Sequence, residues 1–235
     1  MIRIDFSRLN PLEKEIHETL KNAARRRSSI TIAEAAELCG CSMSKISKFV
    51  KKLGFSNYKQ YLRFLYDKEL SPPDTLSELQ RLHRFIEDFD PALVTAFIEE
   101  MEKHPKILFF GHGPSYLVAE YFQYKLRFST GKYVNALSEE FMAENLVDSD
   151  TLLVVLTTTG AFRPFTDLYR SAKEQGAKVL ILAEEYNPSL LDSSDQLIWL
   201  SNHAQPRELK PHEKSRTVFY IFIEEVAAAL ARARK

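Results

Sequence analysis

The sequence predicts a chain of two parts, an all-α N-terminal region followed by an α/β region built on a five-stranded parallel sheet. Three observations carry that prediction. Continuous apolar runs at 107–110 (ILFF) and 152–156 (LLVVL) stop at loops of Gly and small hydroxyls, the pattern of strands buried on both faces. Helix-length amphipathic segments alternate with such runs after residue 105, giving the order βαβαβαβαβ. Before residue 71 the periodicity is helical.

The chain has 235 residues, 45% hydrophobic and 27% charged, an ordinary globular composition. No apolar run reaches membrane-spanning length, and the first residues, MIRID, lack a secretory apolar region. The expectation is a cytoplasmic protein without a membrane partner. Cys39 and Cys41 are too close and too few for a disulfide framework, and no His or further Cys completes a zinc pattern around them. No metal or cofactor is expected. The net charge of zero hides an asymmetry: residues 1–70 hold 14 Lys+Arg against 8 Asp+Glu, and the remainder 18 against 24. Polyanion binding, if present, belongs to the first third.

Asn10-Pro11 opens the first helix, as N-cap and first helical residue, and Leu12, Ile16 and Leu20 recur on one face. Thr31 with Glu34 makes a capping box for a second helix that buries Ile32, Ala35, Ala36 and Leu38 and ends at Gly40. A third helix covers 42–53, with Met43, Ile46, Phe49, Val50 and Leu53 inward and Ser44, Lys45, Ser47, Lys48, Lys51 and Lys52 outward. Two short helices joined through Cys39-Gly40-Cys41 fit a helix-turn-helix whose second helix reads DNA, or a small helical bundle with a basic surface. On the first reading the DNA-contacting residues are Ser42, Ser44, Lys45, Ser47, Lys48, Lys51 and Lys52.

The stretch 42–58, SMSKISKFVKKLGFSNY, resembles the recognition-helix signature of RpiR-type bacterial transcription regulators, which join this helix-turn-helix to a sugar isomerase (SIS) domain that senses phosphosugars. Lys45 and Lys48 stand where that family commonly has Thr and Arg. A lysine lacks the planar fork that Arg offers guanine, so Lys48 is expected to contact phosphate.

A helix over 58–70 follows, and Ser71-Pro72-Pro73-Asp74 marks a linker. Two further amphipathic helices occupy 76–89, with Leu79, Leu82, Phe85 and Ile86 on one face, and 91–104, with Leu93, Val94, Phe97, Ile98 and Met101. The expected division is a DNA-binding domain at 1–70, a linker with connecting helices at 71–104 and an α/β domain at 105–235. Within the last, strands are expected at 107–110, 132–136, 152–156, 178–183 and 196–200, with a terminal helix at 213–233.

In an open α/β sheet ligands sit beyond the carboxyl ends of the strands, where neighbouring connections leave in opposite directions. Gly111-His112-Gly113-Pro114-Ser115 and Thr157-Thr158-Thr159-Gly160 are therefore candidate walls of one pocket, with unpaired amides at the start of the Ser115 helix suited to an anion. The alternative is a tight strand-to-helix turn capped by Ser115. Residues 105–200 resemble a SIS domain, with a flavodoxin-like strand order, and the resemblance implies a phosphosugar site at Gly111, His112, Gly113, Ser115, Thr157, Thr159, Gly160 and Phe162. Thr157 and Thr159 replace serines of the family's second loop, and Phe162 its final Thr, so the pocket is expected to be narrower and more apolar.

Isomerisation needs a base and a ring-opening group, for which His112, Glu139, Glu140 and Glu144 are the candidates. A Glu at a helix N-terminus is equally favoured by the helix dipole, and no catalytic residue is assigned. The expectation is a homodimeric or homotetrameric regulator of double-stranded DNA with a phosphosugar effector. An isomerase-like enzyme and a DNA-binding scaffold whose SIS-like part only oligomerises are the alternatives.

Overall fold

A computed structural model describes the chain apart from residues 1, 6–8, 28, 56, 67–76, 161–164, 186, 188–189, 191–193, 207 and 234–235. It divides into two compact units, Ile2–Pro72 and Pro73–Lys235. The proposed linker at 71–74 lies outside the described residues.

In the first unit a strand, β1 (Ile2–Asp5), which the sequence pattern did not reveal, precedes four helices: α1 (Pro11–Ala24), α2 (Ile32–Leu38), α3 (Met43–Lys52) and α4 (Tyr58–Leu65). Both predicted starts are present. Asn10 and Glu13 form a capping box at α1, and Thr31 and Glu34 another at α2, each satisfying amides that a helix end leaves open. α3 ends in a Schellman arrangement, with Phe55 N–H donating to the Val50 carbonyl and Gly54 N–H to that of Lys51. Ile16, Leu20, Ile30, Ala35, Ile46, Phe49, Val50, Leu53, Phe55, Tyr61 and Phe64 fill the core. His17 Nδ1 and the Tyr61 hydroxyl stand 3.0 Å apart inside it, so the phenol of this fully buried ring has a polar neighbour. Leu38 and Met43 depart from the expectation. Both are exposed, Met43 by 53%: it opens α3, where no preceding turn packs its side chain, while Leu38 is the last residue of α2.

The second unit contains α5 (Glu78–Glu87), α6 (Pro91–Glu102), β2 (Lys106–Gly111), α7 (Pro114–Arg127), β3 (Tyr133–Leu137), α8 (Glu140–Leu146), β4 (Thr151–Thr157), α9 (Phe165–Glu174), β5 (Lys178–Ala183), β6 (Gln196–Trp199) and α10 (Thr217–Ala233). Its five strands are parallel in the order β3-β2-β4-β5-β6, the flavodoxin-like order expected. Leu152, Val154 and Leu156 of β4 face one side of the sheet and join a core with Phe97 and Met101 of α6, Phe122 of α7 and Phe219, Phe222 and Val226 of α10. α5 and α6, expected as connecting helices, thus belong to this unit's core through Phe85, Leu93, Val94, Phe97 and Met101. The inward face of α5 also differs from the apolar pattern. Leu79 and Ile86 are exposed, and Arg81 is buried beside Phe85 because a carboxylate awaits it inside.

Candidate functional site

The connection from β2 runs to β3 on one side of the sheet and that from β4 to β5 on the other, which makes the β2/β4 boundary the switch point. Gly111 pairs in register with Leu156, so the 111–115 and 157–160 loops leave adjacent strand ends side by side. The structure thereby brings together the residues that the sequence singled out in these two loops. Phe162 lies outside the described residues.

The first loop is shaped by close approach. A Cβ on Gly111 would stand 2.3 Å from the Ser115 carbonyl oxygen, so α7 presses on the strand end at a distance only glycine permits. Helix α7 begins at Pro114, with Gly113 as N-cap and no side-chain cap. Ser115 is buried inside the first turn rather than capping it. Its N–H donates to the His112 carbonyl at 3.2 Å and that of Tyr116 to the Gly113 carbonyl at 2.9 Å, while Pro114 has no N–H. The expected row of unpaired amides is therefore largely satisfied by tight i→i−3 bonds. His112 and Gly113 are exposed.

The second loop is shaped by hydrogen bonds. Thr157, buried at the end of β4, accepts the Gly160 N–H on its hydroxyl at 2.9 Å. Its carbonyl and that of Thr158 accept the N–H groups of Glu184 and Glu185 at 3.1 and 2.8 Å. Asn187 Nδ2 donates to the Thr159 carbonyl at 2.8 Å. Gly160 takes φ of 65°, and a Cβ there would also sit 2.7 Å from Leu190 Cδ1. A hydroxyl that accepts one bond still has its proton to donate, so Thr157 keeps a donor for a ligand.

A polar network that sequence reasoning missed stands directly behind this loop. Glu184 Oε1 accepts from Arg81 Nη1 at 2.7 Å and from Gln205 Nε2 at 2.9 Å. Arg81 also binds Glu78 and donates to the His203 carbonyl. Lys214 Nζ and the Gln205 N–H both reach Glu185 Oε1, at 2.6 and 3.2 Å. Burial pushes the Glu184 carboxyl up to about 7 against the pull of Arg81, and burial draws the Arg216 guanidinium below its usual range. Thr158 Oγ1, Glu184 Oε2, Asn202 Oδ1 and Arg216 Nε are buried with no hydrogen-bond partner among the described residues. The first three follow shortly on the carboxyl ends of β4, β5 and β6. The one hint in sequence was Glu184-Glu185 closing an apolar strand.

On α3, Ser44, Lys45, Lys48 and Lys51 are exposed and Ser47 is half-buried, on the side away from Ile46, Phe49 and Val50. Ser42 is the N-cap, its hydroxyl accepting the Lys45 N–H at 3.2 Å. Lys52 differs from the other lysines: its Nζ lies 2.5 Å from Glu13 Oε2, which ties it to α1. Ser47 and Lys51 also line a groove of about 570 Å³ with Ile32, Asn57, Tyr58 and Lys59, so Lys59 joins the basic face unforeseen. In the turn of this motif burial pushes the Cys39 thiol up to about 11, and both cysteines are free. Among the described residues no cluster of three or more His, Cys, Asp or Glu is placed to hold a metal.

Comparison with known proteins agrees with both halves. Residues 1–73 match the model of the helix-turn-helix domain, rpiR family, and residues 100–225 that of the SIS domain, the latter over just more than half of the chain. An uncharacterized HTH-type transcriptional regulator in the aarA 3' region of Providencia stuartii is 22% identical over 66% of this chain and 62% of its own length. The HTH-type transcriptional regulator HexR of Pseudomonas aeruginosa is 23% identical over 80% of this chain and 73% of its own. The chain thus spans under two thirds of the first of these relatives. Among solved structures, the Vibrio vulnificus NanR protein complexed with ManNAc-6P superposes with a TM-score of 0.56 at 14% identity, covering 97% of this chain and 88% of that one. A helix-turn-helix of the rpiR type in one unit and a SIS domain in the other make this chain a member of the RpiR family.

Proposed function

We propose that the protein is a cytoplasmic, homo-oligomeric transcriptional regulator that binds double-stranded DNA through α3 and responds to a phosphosugar held between the 111–115 and 157–160 loops, without converting it. The observation that carries the effector site is the pair of adjacent strand ends at the switch point, with the Thr157 hydroxyl proton available and buried polar atoms beside it without hydrogen-bond partners among the described residues. The Thr157 and Thr159 hydroxyls receive the phosphate beside Gly160, whose N–H donates to the Thr157 hydroxyl, and Ser115 with His112 closes the opposite wall. That the Vibrio vulnificus NanR protein is complexed with ManNAc-6P supports this class of ligand. On the DNA side Lys45, Lys48 and Lys51 contact phosphates and Ser44 and Ser47 base edges, with Ser42 holding the helix start. Lys52, paired with Glu13, contributes least.

Calorimetric titration with hexose and amino-sugar phosphates tests the effector reading. Thr159→Val keeps shape and removes a donor, and it is expected to weaken binding by ~1.5–3 kcal/mol, the range for a hydrogen bond to a charged group. Unchanged binding in both Thr159→Val and Thr157→Val would remove the pocket from this place. NMR of the same mixtures is expected to show no conversion; turnover that disappears in His112→Ala would make the domain an isomerase.

A further inference from the structure

Helix α7 is apolar on two opposite sides. Val118, Ala119, Phe122 and Leu126 sit in the core. On the far side Leu117, Tyr121, Tyr124 and Phe128 recur at spacings of four, three and four, a seam within about 60° at 100° per residue. Leu117 is 60% exposed, Tyr124 64% and Phe128 70%. The Tyr124 and Phe128 rings meet edge-on at 5.8 Å, and the half-buried Tyr121 meets Tyr220 of α10 at 5.1 Å, which fixes the stripe's rings in place. An exposed apolar stripe opposite the core face calls for cover of its own.

We propose that this seam pairs with the same seam of a second copy, with the two α7 helices antiparallel. Glu120 and Arg127 are exposed, seven residues apart, on one flank of the stripe. In an antiparallel helix pair residues of the same flank face each other, so Glu120 of one copy meets Arg127 of the other and the reverse holds at the second contact. Leu117 then packs against Phe128, and the tyrosines meet at the centre. A parallel pair would bring Glu120 to Lys125 instead, but Glu224 already holds Lys125 at 2.7 Å. Seam and flank are thus self-complementary in the antiparallel sense. This rests on the homo-oligomer reading above and names its interface.

Sedimentation velocity on the full chain over a wide concentration range tests it. The native protein is expected to associate, and Glu120→Lys and Arg127→Glu each to weaken association at least about tenfold by setting like charges opposite one another. The double variant Glu120→Lys/Arg127→Glu is expected to restore it to within about threefold of native. Both positions are exposed, and thermal melts of each variant check that folding is unaffected. Loss in Glu120→Lys that Arg127→Glu does not rescue overturns the antiparallel register. Association untouched by these variants and by Tyr124→Ala overturns the seam while leaving the oligomer reading in place. A native protein that stays monomeric overturns both, since a seam covered by the first unit of the same chain would leave a monomer.

Discussion

Two glutamates buried in the same unit meet opposite fates. Glu100 of α6 stands near the amino edge of the sheet, where both its oxygens are engaged: Oε2 accepts from Lys103 and from Gln196 at 2.8 Å, and His104 faces Oε1 at 3.6 Å. Burial works to raise its pKa, but these bonds outweigh it and hold the carboxyl far below the usual range. Glu184 stands past the carboxyl end of β5. It has an arginine at 2.7 Å and nevertheless one oxygen without a partner among the described residues, and its carboxyl rises to about 7. An arginine and one amide on Oε1 do not offset burial when Oε2 has no partner among the described residues and Glu185 adds a like charge nearby, whereas Lys103, Gln196 and His104 around Glu100 do. Glu184 belongs with Thr158 and Asn202, which also keep a buried polar atom without a hydrogen-bond partner among the described residues just past the carboxyl ends of the strands, the edge where open α/β sheets bind ligands.

The contrast breaks most visibly at Arg81. Arg81→Met should leave Glu184 with Gln205 alone, and a loss of roughly 3–5 kcal/mol in unfolding free energy is expected at alkaline pH, the cost of stranding one member of a buried pair. Denaturant melts at pH 8 and pH 5 check it, because a protonated Glu184 no longer needs the cation and the loss should shrink in acid. Equal losses at both values would mean that Glu184 is not the group left behind.

The second prediction concerns slopes. The folded-state value of Glu184 lies above the ordinary 4.5, so its contribution to stability is complete below about 4.5 and is lost as pH rises toward 7, by at most ~1.4 kcal/mol per unit. Glu100 is depressed, so its contribution is present above 4.5 and is lost as pH falls. Glu184→Gln should flatten the stability profile between pH 4.5 and 7, and Glu100→Gln should flatten it below. A Glu184→Gln profile parallel to native in that window would reverse the assignment.

The smallest effect is expected at Lys103, which is half exposed and is one donor among several to Glu100. Lys103→Met should cost less than about 1 kcal/mol. A larger loss would mean that Glu100 depends on one partner as Glu184 depends on Arg81.

These two carboxylates also mark where sequence stopped being legible. Strands β2, β4 and β5 were readable because short apolar runs such as VLILA, bounded by turn residues, suit a strand buried on both faces, and α1 and α2 because capping boxes are local chemistry. The two loops of the candidate site were readable for the same reason, as glycines and hydroxyls terminating buried strands. Arg81 was not, since its burial is decided by Glu184, 103 residues away. Apolar periodicity assigned α5 the face of Leu79, Leu82, Phe85 and Ile86; Leu82 and Phe85 do pack on the core, but Leu79 and Ile86 are exposed and a long-range ion pair draws Arg81 inward beside Phe85. Nor does a motif indicate that Lys52 is held by Glu13 while Lys48 and Lys51 are exposed, or that tight turns satisfy the amides at the start of α7. Such facts depend on which groups meet, and period carries no information about that.

The bond between the Thr157 hydroxyl and the Gly160 amide has a kinetic consequence. On the proposed function, a 157–160 segment already folded by this bond needs no closing step of its own before the phosphate is held, so association can proceed at the rate of encounter and the lifetime of the complex sets how long a signal persists. Occupancy would follow a falling metabolite within the dissociation time of one small molecule. Memory in the response would then have to reside in the slower exchange of the DNA complex.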